Sequence, residues 1–159
     1  MNQSNYKISS EREIENLIAT YTYLLDKGDF AGQSELFKYG RIGALGNYAE
    51  GPEAIEKSQY ANLQLYPNGT PQTAHVTTNI TIEINEDGKN ATSSSYVTIL
   101  QQDTERSFPL QPVMVGRYDD TFALIDGKWW FTERNLSLSL IGDLSHHANP
   151  DGPATKNIK

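Results

Sequence analysis

The apolar residues of this chain change their spacing partway along it, and that change decides the order in which its parts are built. Ile14, Leu17, Ile18, Tyr21, Leu24 and Leu25 recur at helical spacing, which predicts an amphipathic helix whose apolar stripe needs a covering surface. From Thr73 the spacing is two. Val76, Thr78, Ile80, Ile82 and Ile84 alternate with His75, Thr77, Asn79, Thr81 and Glu83, as in a strand with two unlike faces. Helices first and strands afterwards imply an α+β fold, with the helices laid on one face of a sheet.

The punctuation agrees with that order. Ser10 and Glu13 have the spacing of a capping box, so the first helix is expected to start at Ser10, and Gly28 suits its end. Asp29 can cap a short second helix carrying Leu36 and Phe37, and Gly51-Pro52-Glu53 opens a third that runs to about Leu65. Asn85-Glu86-Asp87-Gly88 is a hairpin connection to a strand from Ala91 to Gln101. Two more strands, Val113 to Ile125 and Lys128 to Ile141, join tightly at Asp126-Gly127, with Pro109 and Pro112 marking an entry bend or bulge. Long twisted antiparallel strands curl. The expected architecture is therefore a cone-shaped, curved antiparallel sheet wrapped by N-terminal helices around a pocket. Residues 1–9 read as an arm, 10–142 as the domain and 143–159, rich in Ser, His, Asn, Pro and Gly, as a loose tail.

Composition narrows the function classes. A chain of 159 residues with 37% hydrophobic content suits one globular domain. A formal charge of -7 without a Lys/Arg cluster argues against a nucleic-acid partner. No apolar run approaches the ~20 residues of a membrane span, and the first residues lack the apolar stretch of a signal peptide, so no membrane partner and a cytoplasmic location are expected. With no cysteine there is no disulfide, thiolate metal site or cysteine nucleophile. His146-His147 lies in the tail without a third ligand at suitable spacing, and no glycine-rich phosphate loop occurs; neither metal nor cofactor is expected.

The element order, together with Leu25-Asp26-Lys27-Gly28-Asp29-Phe30, His75-Val76-Thr77-Thr78-Asn79 and Asp126-Gly127-Lys128-Trp129-Trp130-Phe131, resembles the SnoaL-like, nuclear-transport-factor-like superfamily over roughly residues 10 to 147. In motif it is similar to the hexachlorocyclohexane dehydrochlorinase and scytalone dehydratase families, lyases with a His and Asp pair in the cone. The resemblance implies that Asp26, His75 and Arg134 correspond to site residues of those enzymes. It also has departures: Tyr21 stands where the dehydrochlorinases carry a lysine, and Leu100 or Gln101 where scytalone dehydratases carry a second histidine.

Each candidate also has an ordinary structural reading. Asp26 ends a helix, where the macrodipole disfavours negative charge; it either makes a solvated turn with Lys27 or serves a site. His75 suits a general base, yet strict alternation sets it opposite the isoleucines, on a polar or interface face, unless a bulge reverses the strand. Arg134 alternates with Trp130, Thr132, Leu136 and Leu138, so its charge needs either a structural partner such as Asp26 or Glu133, or the developing charge of a reacting molecule. Tyr21 and Tyr118 are candidate pocket donors, with Trp130 and Met114 as further ligand contacts. The function expected is a cofactor-independent lyase acting on a small apolar molecule by His/Asp proton abstraction. An isomerase or cyclase in the same pocket, or a binding or assembly module without chemistry, is the alternative. A homodimer or homotrimer is expected, because one face of the sheet is left without helices.

Overall fold

The computed structural model describes residues 8–153. Helix α1 (Ser10–Asp26) is followed by α2 (Phe30–Glu35), the short strands β1 (Arg41–Ala44) and β2 (Asn47–Glu50), α3 (Pro52–Asn62), and four strands: β3 (Thr73–Ile84), β4 (Asn90–Asp103), β5 (Phe108–Ile125) and β6 (Lys128–Ile141). They form one six-stranded sheet in the order β2-β1-β6-β5-β4-β3. All neighbours are antiparallel except β1 and β6, which pair in parallel. The fold is thus α+β with a curved sheet, as the change of period implied, and the β1–β2 hairpin is an addition to it.

Local chemistry explains the boundaries. The α1 cap is Ser9, whose hydroxyl accepts from the Arg12 N–H at 3.3 Å, one residue before the expected Ser10. Gly28 follows the helix with φ +75°, and a Cβ there would stand 2.0 Å from the Gly69 carbonyl oxygen, so only glycine fits this return. Asp29 caps α2 by accepting from the Gly32 N–H. Gly51 and Pro52 start α3, which stops at Asn62 rather than Leu65.

The helices cover the concave face. Ile14, Ile18, Phe30, Phe37 and Ile55 are fully buried against Phe122 and Phe131 of the sheet. Burial of each such side chain is worth roughly 1.5–3 kcal/mol. Phe37 and Phe131 stack at 4.7 Å, and the Tyr21 ring meets both edge-on.

Bulges bend the long strands and re-aim their side chains. In β3 the register shifts between Thr78 and Thr81, where Asn79 adopts φ +54°. Thr73, His75 and Thr77 therefore face the same side as Ile80, Ile82 and Ile84. In β6 the register shifts beside Thr132, so Trp129 and Phe131 face inward before it and Arg134 after it. Trp130 consequently lies on the opposite face from Arg134, contrary to the unbroken alternation assumed from sequence.

The expected loose tail is corrected over residues 143–153. Ala148 forms a β-bridge with Leu63, and the Gln64 side chain donates to the carbonyls of Ser145 and Ala148 at 2.8 and 2.6 Å. The His146 carbonyl accepts from Tyr66 Oη and Gln101 Nε2. A polar composition is compatible with packing here because the strap's backbone groups find partners on α3, its following loop and β4.

Candidate functional site

A cavity of about 430 Å³ opens between α1, α3, the β1–β2 hairpin, the concave sheet face and the strap. That is the low end of the range for small-molecule sites. Most of its wall is apolar, including Leu25, Ile42, Ile99, Met114, Leu136 and Leu138. Tyr21, Tyr118, His75 and His147 line it too, the Tyr48 ring lines it while its hydroxyl turns away to Glu133 and Asn135, and the described lining contains no Lys or Arg.

His75 is held from behind. Among the described residues β3 is the last strand of the sheet and its outer edge has no ladder partner, and the C-terminal turn of α1 lies against it. There one Asp26 oxygen accepts from the His75 backbone N–H at 2.8 Å. The other accepts from Thr73 Oγ1 at 2.7 Å and contacts His75 Nδ1 at 2.5 Å. These bonds answer the unfavourable position of a carboxylate at a helix C-terminus. Burial pushes the Asp26 carboxyl up, but hydrogen bonds and charge attraction from His75, with Thr73, outweigh it and hold the pKa below the usual 3.8. An ionised carboxylate can only accept, so Nδ1 of His75 carries the proton. In the neutral ring Nε2 is then a free base, on a residue that lines the cavity.

Arg134 occupies a different chamber. It is 0% exposed, donating from Nε and Nη2 to the two oxygens of Asp120 at 2.8 and 2.7 Å. The guanidinium carbon lies 3.9 Å from the Tyr118 ring centre, 4.3 Å from Tyr21 and 4.7 Å from Phe131. Desolvation lowers the Arg134 pKa, but the Asp120 charge and hydrogen bonds more than reverse this, so it stays cationic. The expectation that Arg134 meets the reacting molecule is corrected: Tyr21 and Tyr118 line the cavity and Arg134 does not. Its partner is Asp120, neither Asp26 nor Glu133. Desolvation also raises the pKa of both phenols, so each remains a protonated donor.

Of the other expected contacts, Tyr21, Tyr118 and Met114 line the cavity. Trp130 does not; it packs edge-on against Tyr39 at 5.4 Å with the Lys128 ammonium over its ring, on the outer side of β6. The bulge beside Thr132 is the reason.

One residue went unrecognised in the sequence. His147, assigned there to a loose tail, is 8% exposed and lines the cavity with its ring 6.4 Å from that of His75. Its neighbour His146 points elsewhere, stacking on Phe108 and meeting Asp103. Only the chemistry of a histidine amid small polar residues could have signalled it. Among the described residues no group of three or more His, Asp or Glu side chains could hold a metal ion, and no helix is long and apolar enough to cross a membrane.

The profile of a family described as a SnoaL-like domain matches residues 7–135. No curated protein matches the chain. Among solved structures, a Nostoc punctiforme protein of unknown function with a cystatin-like fold superposes with a TM-score of 0.70 at 22% identity, covering 87% of this chain and 98% of that one. A Mycobacterium tuberculosis protein of unknown function gives 0.69 at 21% identity, covering 82% and 72%. A candidate scytalone dehydratase from Novosphingobium aromaticivorans gives 0.66 at 25% identity, covering 84% and 86%.

Proposed function

The chain belongs to the SnoaL-like domain family, and from that premise we propose that it is a cofactor-independent lyase, of dehydratase or dehydrohalogenase type, acting on a small, mostly apolar molecule. The observation that carries this is the 2.5 Å contact between Asp26 and His75 Nδ1 on a residue that lines the cavity. Nε2 of His75 removes a proton from carbon. The electron pair left behind forms the double bond as the neighbouring carbon–oxygen or carbon–halogen bond breaks. Asp26 keeps the ring in the required tautomer and stabilises the imidazolium. The phenols of Tyr21 and Tyr118 donate to the departing group, and Arg134 steadies both rings from behind without touching the reacting molecule.

The test is a turnover screen of small halogenated and hydroxylated ring molecules, repeated with His75→Ala. Loss of about 10²–10⁴-fold in rate, with ligand binding retained, is the expected result; turnover equal to the parent protein overturns the mechanism. Within the same reading the protein is a homodimer or homotrimer joined through the outer sheet face. The cross-strand row Val76, Thr98, Val115 and Leu140 supports this, with Val76 42% and Leu140 67% exposed.

A further inference from the structure

We propose that His147 is a ligand-binding residue that selects neutral, oxygen-bearing molecules, by forming a hydrogen bond from its imidazole to a hydroxyl or carbonyl of an otherwise hydrocarbon ligand. The proposal rests on the cavity being a small-molecule site and does not require that chemistry occurs there.

The imidazole is fixed from its backbone outward. The His147 N–H donates to the Leu144 carbonyl at 3.0 Å, and its own carbonyl accepts from the Gln64 N–H at 2.9 Å. On either side the His146 carbonyl and the Ala148 bridge to Leu63 pin the strap. The ring therefore faces the cavity on an anchored backbone, yet its Nδ1 is buried with no hydrogen-bond partner among the described residues. Nδ1 is sealed away from any bound molecule, whereas Nε2 also lacks a hydrogen-bond partner among the described residues and is not sealed, so it is the nitrogen that a bound molecule can reach.

The chemistry of that molecule follows from the protonation state. Burial, then the neighbouring His75, lower the His147 pKa to about 4, with Asp26 opposing. The ring is neutral at physiological pH, with one donor and one acceptor. Such a ring matches a hydroxyl or a carbonyl. It does not match a carboxylate or phosphate, which need a cation, and the described lining contains neither Lys nor Arg.

Three probes of one shape test this: indane, 5-indanol and indane-5-carboxylate, titrated calorimetrically near pH 7.5 into the parent protein, His147→Phe and His147→Gln. Phenylalanine keeps a ring and removes both nitrogens, whereas glutamine keeps polar atoms near the Nε2 position. The parent is expected to bind 5-indanol at least tenfold more tightly than indane, and the carboxylate no better than indane. In His147→Phe the preference should fall below threefold, and His147→Gln should recover part of it. A residue with only a structural role would weaken indane and 5-indanol alike. Equal binding of the two by the parent, survival of the preference in His147→Phe, tightest binding of the carboxylate, or binding of none of the probes overturns the proposal. Failure of the lyase reading appears separately, as turnover indifferent to His75→Ala.

Discussion

Two carboxylates inside this fold each hold a basic side chain, and the pairs differ in almost everything else. Asp120 and Arg134 are sealed, both side chains 0% exposed, within a box of aromatic rings. Asp26 keeps 20% of its side chain exposed, and its partner His75 borders the cavity. Two strong parallel hydrogen bonds make the first pair a strut between β5 and β6. The second leaves one ring nitrogen uncommitted, which is what makes proton transfer available to it. An inward-facing charge in a strand is therefore no sign of a site; what matters is whether a polar atom remains free where a ligand can reach it.

The largest expected effect breaks the strut. Arg134→Met leaves Asp120 buried and unpaired and should destabilise the protein by about 3–5 kcal/mol in urea titrations, with much of the loss regained in Arg134→Met/Asp120→Leu. Asp26→Asn should cost only about 1–2 kcal/mol, because the retained oxygen still accepts from the His75 N–H and the Thr73 hydroxyl can turn to accept from the new amide N–H. If Asp26→Asn proved the more damaging, the division into strut and site would fail.

A second difference lies in pH. The folded pKa of His147, about 4, is below the usual 6.5, so the unfolded chain binds the extra proton more readily. Stability should therefore fall as pH drops from about 6.5 to about 4, by up to about 3 kcal/mol for this group. Thermal melts of His147→Phe should lose that part of the slope. The contribution of Asp26, whose folded pKa is below 3.8, is present above that value and lost only as pH falls further, so the two are separable. An unchanged slope in the variant would mean that His147 is charged in the folded protein.

The smallest effect concerns the bulge that turns β3. Asn79→Val forces a β-branched residue into a positive φ and should cost about 1–2 kcal/mol, whereas Asn79→Gly should lie within about 0.5 kcal/mol of the parent by chemical denaturation. Equal stability of the two would remove the conformational argument for asparagine there.

The sequence made the helices and the four long strands legible because periodicity is written locally: the stripe from Ile14 to Leu25, the alternation after Thr73, and Asp126-Gly127. The β1–β2 hairpin was not legible. Its strands have four residues each and are built around Gly43, Ala44 and Gly46, too short to show a period. Asp26 and His75 were found as types, but which way His75 faces depends on a bulge four residues later. The same limit misdirected Arg134 and Trp130, because a skipped residue at Thr132 exchanges the faces. His147 depends on Leu63, Gln64, Tyr66 and Gln101, partners distant in the chain and invisible to any local pattern.

The strap over residues 143–153 supplies Leu144, His147, Ala148 and Pro153 to the cavity while contributing no strand to the sheet. Part of the cavity wall is thereby carried on a short stretch outside the sheet. Exchanging that stretch, with the β1–β2 hairpin and the helices untouched, offers a route to retargeting the pocket that leaves the His75 and Asp26 pair in its original frame.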